Sequence, residues 1–215
     1  MKASYIAMIG LTLLANNAFA GGSTGMGVGA KVGTLGLGIE GIKPVAPNLD
    51  LRLGLNKFSY DTDETLDNTD YKAKLDMQTV AALADWRPAG NGFFVSGGAM
   101  LNNNKLDATA TVSAADPVTI GNATINSGTV TSGISFDDVS PYLGVGYRKP
   151  FSGTRGWTFA ADAGVLLQGD PKITLTESTG TVAQSDIDAE IAKVNDDVDA
   201  LKNIPVISLG AVYNF

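Results

Sequence analysis

The sequence predicts an all-β chain: an eight-stranded antiparallel transmembrane up-and-down β-barrel with one helix in its last outer loop. Three observations carry this expectation. Long segments alternate apolar and polar residues, as a wall between lipid and a polar interior must. The segments run to about 10 residues or more, the length a tilted strand needs to cross a bilayer, whereas strands of soluble sheets average about 5–6. Beyond the start of the chain, no stretch is long and apolar enough for a transmembrane helix.

The first element is a signal peptide over residues 1–20. Lys2 supplies a positive start, and Ile6 to Ala15 form an apolar run. That run is shorter than the roughly 20 residues of a spanning helix. Ala18-Phe19-Ala20 then has the small-x-small form of a cleavage site. Export is therefore expected, with the barrel domain over 21–215. The chain has no cysteine, so packing and hydrogen bonds, not disulfides, would stabilise the exported protein.

Eight strands follow, at residues 24–33, 34–43, 49–60, 69–86, 93–107, 134–149, 157–170 and 204–215. In the third, Leu49, Leu51, Leu53 and Leu55 alternate with Asp50, Arg52, Gly54 and Asn56. In the fourth, Tyr71, Ala73, Leu75, Met77, Thr79, Ala81 and Leu83 read as the lipid face, which turns Lys72, Lys74 and Asp76 inward. Leu143, Val145 and Tyr147 alternate with Gly144, Gly146 and Arg148, and Trp157, Phe159, Ala161 and Ala163 with Thr158, Ala160, Asp162 and Gly164. Aromatics at strand ends on the apolar face (Tyr71, Phe93, Tyr147, Trp157, Tyr213) resemble interfacial girdles and argue against a soluble sandwich. An even strand number puts both termini on one side. The short links 44–48, 87–92 and 150–156 suit periplasmic turns, and 61–68, 108–133 and 171–203 suit outer loops. Gly33-Thr34 makes a tight turn on the outer side.

The chain closes on "VISLGAVYNF", where Leu209, Ala211, Tyr213 and Phe215 share one face. A barrel has no free edge only if its last strand pairs with its first. This strand, with its terminal aromatic, resembles the assembly signal of bacterial outer-membrane barrels. "GTLGLGIEG", "LRLGLNKFSYD", "LADWRPAGNGFFVSGG", "SPYLGVGYRKP" and "GWTFAADAGVLLQG" resemble blocks of a family of small proteobacterial outer-membrane proteins with an OmpA/OmpX-like eight-stranded barrel. The resemblance implies a Gram-negative outer-membrane location and contact with outer-membrane lipid and lipopolysaccharide. It also implies recognition by the barrel assembly machinery and a monomer. It implies no particular activity.

An eight-stranded barrel is just wide enough to be filled by its own side chains. The inward face is rich in glycine, which leaves room for long charged residues. Lys31, Arg52, Lys72, Lys74 and Arg148 are expected inside against Glu40, Asp50, Asp76 and Asp162, with Glu40 directly opposite Arg52 across the 44–48 link. Near balance suits a salt-bridged plug, because an unpaired charge in a narrow interior is costly. A selective ion path would need an excess of one sign or open width.

Composition excludes several functions. There is no histidine and no cysteine, so serine–histidine catalysis, cysteine catalysis and His/Cys metal sites are unavailable. No carboxylate pair has a catalytic context, and neither enzyme activity nor a cofactor is expected. A net charge of −7 gives no reason to hold nucleic acid through phosphates. "DTDETLDNTD" (61–70) opens like a calcium loop but lacks the required glycine and final glutamate. It reads as a solvated acidic loop, with weak divalent-ion binding as the other reading. The 108–133 segment either extends its strands into a hairpin above the membrane or is mobile. In "SDIDAEIAKVNDDVDALKN" (185–203), Ile187, Ile191, Val194, Val198 and Leu201 form a helical stripe, with Ser185 as N-cap. The stripe would dock on the barrel's own mouth or loops, or on a partner helix. The expected role is that of a non-catalytic outer-membrane barrel with a structural or surface-interaction function in its outer loops. The alternative is a narrow channel for small hydrophobic or ionic solutes.

Overall fold

The computed structural model describes residues 25–66, 69–150 and 155–215; the expected signal peptide lies outside them. The strands, in chain order, are β1 (Gly27–Gly33), β2 (Gly36–Ala46), β3 (Leu49–Leu66), β4 (Thr69–Trp86), β5 (Phe93–Asn102), β6 (Lys105–Val112) and β7 (Val118–Ile120). They continue with β8 (Ala123–Ile125), β9 (Gly128–Ser135), β10 (Val139–Arg148), β11 (Gly156–Leu167), β12 (Lys172–Glu177) and β13 (Asn203–Asn214). Between β12 and β13 lie helix α1 (Gln184–Asp197) and a 3-10 turn, Asp199–Lys202.

Eight strands close the barrel: β1, β2, β3, β4, β5, β10, β11 and β13, each antiparallel to the next. β13 returns to β1, from Gly27 opposite Asn214 to Gly33 opposite Ser208, so the wall has no free edge. The start of β1, the end of β13 and the β2–β3 and β4–β5 turns mark one rim, the turn end. The other rim is the loop end. Among the described residues no helix is long and apolar enough to cross a membrane; the strands do the crossing.

At the loop end the sheet continues upward. Lys105 opposite Asp76 keeps the register of Asn102 opposite Thr79, with the Asn103 amide donating to the Gln78 carbonyl at 2.9 Å between them. Likewise Lys105 opposite Ser135 continues Leu101 opposite Val139. So β5 with β6, and β9 with β10, are each one interrupted strand, as expected for 93–107 and 134–149. The extension is a five-stranded sheet, β3–β4–β6–β9–β12. One row crosses it as Tyr60, Leu75, Leu106, Ile134 and Ile173. This apolar face is continuous with the lumen, because Met77, two residues from Leu75, packs into the lumen core. The opposite face is polar: Asp61 pairs with Lys74 and Asp63 with Lys72, while Asp107 lies opposite Lys74 and Lys105 opposite Asp76.

The hairpin β7–β8 and α1 cover the far end of the apolar face. Val112, Ile120, Ile125, Val130 and Val182 form a buried cluster there, with Leu175 and Ile187 packed against it. Residues 108–133 thus build an ordered extension. The helix starts before the expected Ser185 cap, with Ala183 at the N-cap and no side-chain cap bond. Its first acids are used elsewhere: Asp186 accepts from the Asn122 amide at 3.1 Å and Glu190 from the Gly121 amide at 3.2 Å. Gly121 has φ +58°, a left-handed turn that glycine adopts without strain.

The wall differs from expectation in two places. In β4 the lumen side is Thr79, Ala81, Leu83 and Asp85, all buried, the opposite phase from that predicted. Val80, Ala82 and Ala84 are nearly as apolar, so polarity does not mark the lipid face there. Tyr71 accordingly belongs to the inner face of the extension rather than to a girdle. The turn-end girdle comprises exposed Trp86, Phe93, Tyr147 and Trp157, with Trp157, Tyr213 and Phe215 stacked edge to face at 5.3 and 5.1 Å. Second, Ala46 pairs with Leu49, so the β2–β3 turn is only Pro47-Asn48 rather than 44–48, and with a bulge between Pro44 and Ala46 this sets Glu40 opposite Gly54 and Ile42 opposite Arg52. Glu40 and Arg52 are diagonal neighbours, both inside.

Candidate functional site

The lumen is filled in three layers. Nearest the turn end is a charged network positioned by inward residues of six strands and of the β4–β5 turn. Asp50 accepts from Arg87 at 2.5 Å and Arg148 at 2.8 Å. Asp85 accepts from Arg148 at 2.9 Å, Arg52 at 3.1 Å and the Ser96 hydroxyl at 2.5 Å. Asp162 accepts from Arg52 at 2.8 Å and the Ser208 hydroxyl at 3.0 Å. Glu40 lies 3.6 Å from Arg52 and 3.3 Å from Lys31. Four cations thus meet four acids, all at or near full burial. The Phe94 ring sits among three guanidiniums, Arg148, Arg52 and Arg87, whose centres are 5.0, 5.5 and 5.9 Å from its centroid. Such contacts partly offset cation desolvation.

The second layer is apolar: Leu35, Ala81, Leu83, Met100, Tyr142, Leu166 and Val206. Leu35, in the β1–β2 turn, folds into the mouth. The Tyr142 ring crosses the lumen over Gly144 and Gly164, where a Cβ would overlap its hydroxyl end. The third layer is amide. Asn102 and Asn104 donate to the Gln168 Oε1 at 2.9 and 2.7 Å. The Gln168 amide group donates to the Leu201 carbonyl at 3.0 Å, which ties the 3-10 turn to the mouth. A cavity of about 10 Å³ remains between the first two layers, room for at most about one water.

Of the charges expected inside, Lys31, Glu40, Asp50, Arg52, Arg148 and Asp162 line the lumen. Lys72, Lys74 and Asp76 do not: they occupy the polar face of the loop-end sheet, where Lys74 and Asp76 are 51% and 39% exposed. Asp85 and Arg87 complete the network and were not singled out. The phase error in β4 hid Asp85, and Arg87 lay in a segment read as a turn. The one available signal was the Arg87-Pro88 pair after Asp85-Trp86, a charge pattern at the end of a strand. Leu209 is exposed on the outer wall, with Ala211 on the same face, and Tyr213 and Phe215 enter the girdle.

The loop-end domain carries the remaining charges. Apart from the lumen set, every acid in the described residues lies there, while Lys43, Lys149 and Arg155 stand at the turn end. Hydrogen bonding from the Gly121 amide, then Lys193, lowers the Glu190 carboxyl pKa below the ordinary value. Asp199 and Asp170 hold the Lys202 ammonium above the ordinary lysine range. Asp61 and Asp63 sit beside lysines, the other acids of 64–70 have side chains outside the described set, and no metal-binding cluster occurs among the described residues.

A closed antiparallel wall, apolar outside, girdled by aromatics and filled with charge, defines a transmembrane β-barrel of the outer-membrane type. Two solved structures share the architecture. Acinetobacter baumannii CarO is 25% identical with a TM-score of 0.57, the match covering 88% of this chain and 97% of that one. Acinetobacter baumannii CarO2 is 26% identical with a TM-score of 0.59, covering 88% and 98%. No family model matches the chain, and no curated protein matches it.

Proposed function

We propose that the protein is a non-catalytic outer-membrane barrel whose lumen is a structural plug and whose working surface is the loop-end sheet and helix. The observation that carries this is the filled lumen: balanced charges, an apolar layer and an amide layer leave no path for a solute. Short turns facing the periplasm and long loops facing outward follow the usual orientation of such barrels. The loop-end surface then meets lipopolysaccharide and the medium. It presents Tyr60, 58% exposed, on the open half of the apolar face, and the acidic flank of α1.

The last strand, with Leu209, Ala211, Tyr213 and Phe215, would be the segment read by the assembly machinery of an OmpA/OmpX-like monomer. Among the described residues, the buried serine hydroxyls beside carboxylates, Ser96 and Ser208, donate within the sealed network, which supports a role without serine catalysis.

Conductance in planar bilayers tests the reading. The folded protein should show no steady current, and a variant trimmed in the apolar layer alone, Leu83→Ala with Met100→Ala, should also stay closed because the charge layer persists. Steady unitary currents from the wild type would instead support the narrow-channel alternative.

A further inference from the structure

We propose that the outer wall carries a site for an anionic phospholipid of the leaflet at the turn end. This rests on the outer-membrane reading above. The site is a groove of about 380 Å³ on the lipid-facing surface. Leu51 and Leu53 of β3 form one bank, and Ala82 and Ala84, which pair with them, form the floor. The floor continues to Gly97, the partner of Ala84. The far bank is Leu143, the partner of Gly97 across β5–β10, with its Cδ2 only 3.7 Å from where a Cβ on Gly97 would sit. Bulky neighbours around a floor of small residues make a trough the width of one chain, matched to an acyl tail.

The foot of the groove is what selects the lipid. Lys43 lines it and pairs across the ladder with Leu51. Its side chain is on the outer face, where the other residues lining the groove are apolar. An ammonium there must snorkel to the headgroup layer. The neighbouring side-chain carboxylates, Glu40, Asp50 and Asp85, are committed to the lumen network on the other side of the wall, and Lys43 forms no ion pair among the described residues. Lys149 and Arg155 stand farther round the rim, beside β10 and β11, so Lys43 alone is the cation of the groove. A phosphodiester carrying a net negative charge satisfies the Lys43 ammonium. A zwitterionic headgroup brings its own cation and does so less well. The lipid A phosphates lie in the opposite leaflet.

Trp86 reports on the site, because it stands on the same face two residues beyond Ala84. The mature chain carrying Trp157→Phe would be folded into phosphatidylcholine vesicles doped with brominated phosphatidylglycerol or brominated phosphatidylcholine. Insertion is checked by heat-modifiable migration. Brominated phosphatidylglycerol should quench Trp86 as though enriched about fivefold over brominated phosphatidylcholine at low salt. Lys43→Gln should abolish that enrichment and Lys43→Arg should keep it. Gly97→Leu, which fills the floor, should weaken quenching by both lipids. Equal quenching by the two lipids in the inserted wild type, or an enrichment unchanged in Lys43→Gln, would overturn the site alone. Failure to insert would overturn the membrane reading beneath it.

Discussion

Asp85 is the acid that joins the two halves of the lumen network, and removing its charge measures what that network contributes. In Asp85→Asn the side chain keeps its shape, while Arg52 and Arg148 lose a shared carboxylate at 3.1 and 2.9 Å. Asp85 is fully buried, so no solvent replaces the lost charge. Breaking a buried pair by removing one partner costs about 3–5 kcal/mol. Neither guanidinium is orphaned, since Arg52 keeps Asp162 at 2.8 Å and Arg148 keeps Asp50 at 2.8 Å. The loss should therefore fall near the lower limit, about 3 kcal/mol.

The control is Asp76→Asn, on the exposed outer face beside Lys74 at 3.4 Å, which should change stability by less than about 1 kcal/mol. Urea titration in lipid vesicles, followed by heat-modifiable migration and tryptophan fluorescence, gives both values. If Asp85→Asn proves no more destabilising than Asp76→Asn, the lumen charges are solvated and the plug reading fails.

Three further outcomes are expected. Ile187→Asp should free α1 from the cluster around Val182 and Leu175 without unfolding the barrel, so protease added to intact cells should cut near 184–203 in the variant and poorly in wild type. Gly164→Val places a methyl group against the Leu143 carbonyl and the Tyr142 hydroxyl, and should lower unfolding stability by about 1–3 kcal/mol through overpacking. The Glu190 carboxyl has a folded pKa depressed chiefly by the Gly121 amide. Its contribution is therefore present above the unfolded value of about 4.3 and lost as pH falls through the folded value. The protection factor of the Gly121 amide, relative to its intrinsic exchange rate at each pH, should fall as pH drops through that folded value, and Glu190→Gln should remove that dependence.

How much of this was legible in the sequence depends on where polarity contrast exists. In β3, Asp50, Arg52 and Asn56 stand against four leucines, and the residues facing inward could be named from alternation alone. Alternation and strand length located all eight wall strands, four of which (β3, β4, β5 and β10) continue outward into the loop-end sheet. Alternation also placed six of the eight lumen charges. The apolar stripe of 185–203 announced a docked helix, although its first acids went to the β7–β8 turn instead of to an N-terminal cap. Within β4 the contrast disappears, because Ala81 and Leu83 face an apolar layer of the lumen while Ala82 and Ala84 face lipid. Period two then says which residues share a face, but not which face is inside.

Closure of the wall decided the rest. The chain by itself determined strand positions, the filled character of the interior and the absence of histidine or cysteine chemistry, since these depend on local periodicity and residue type. Only the tertiary structure decided that Asp85 and Arg87 join the network and that Lys72, Lys74 and Asp76 leave it. It also decided that a two-residue turn at Pro47-Asn48, with a bulge at Pro44, sets Arg52 opposite Ile42. Which side chains meet across a barrel depends on shear and register summed over all its strands. One bulge or one inverted phase moves those meetings by a residue or a face, while the local pattern that specifies each strand stays the same.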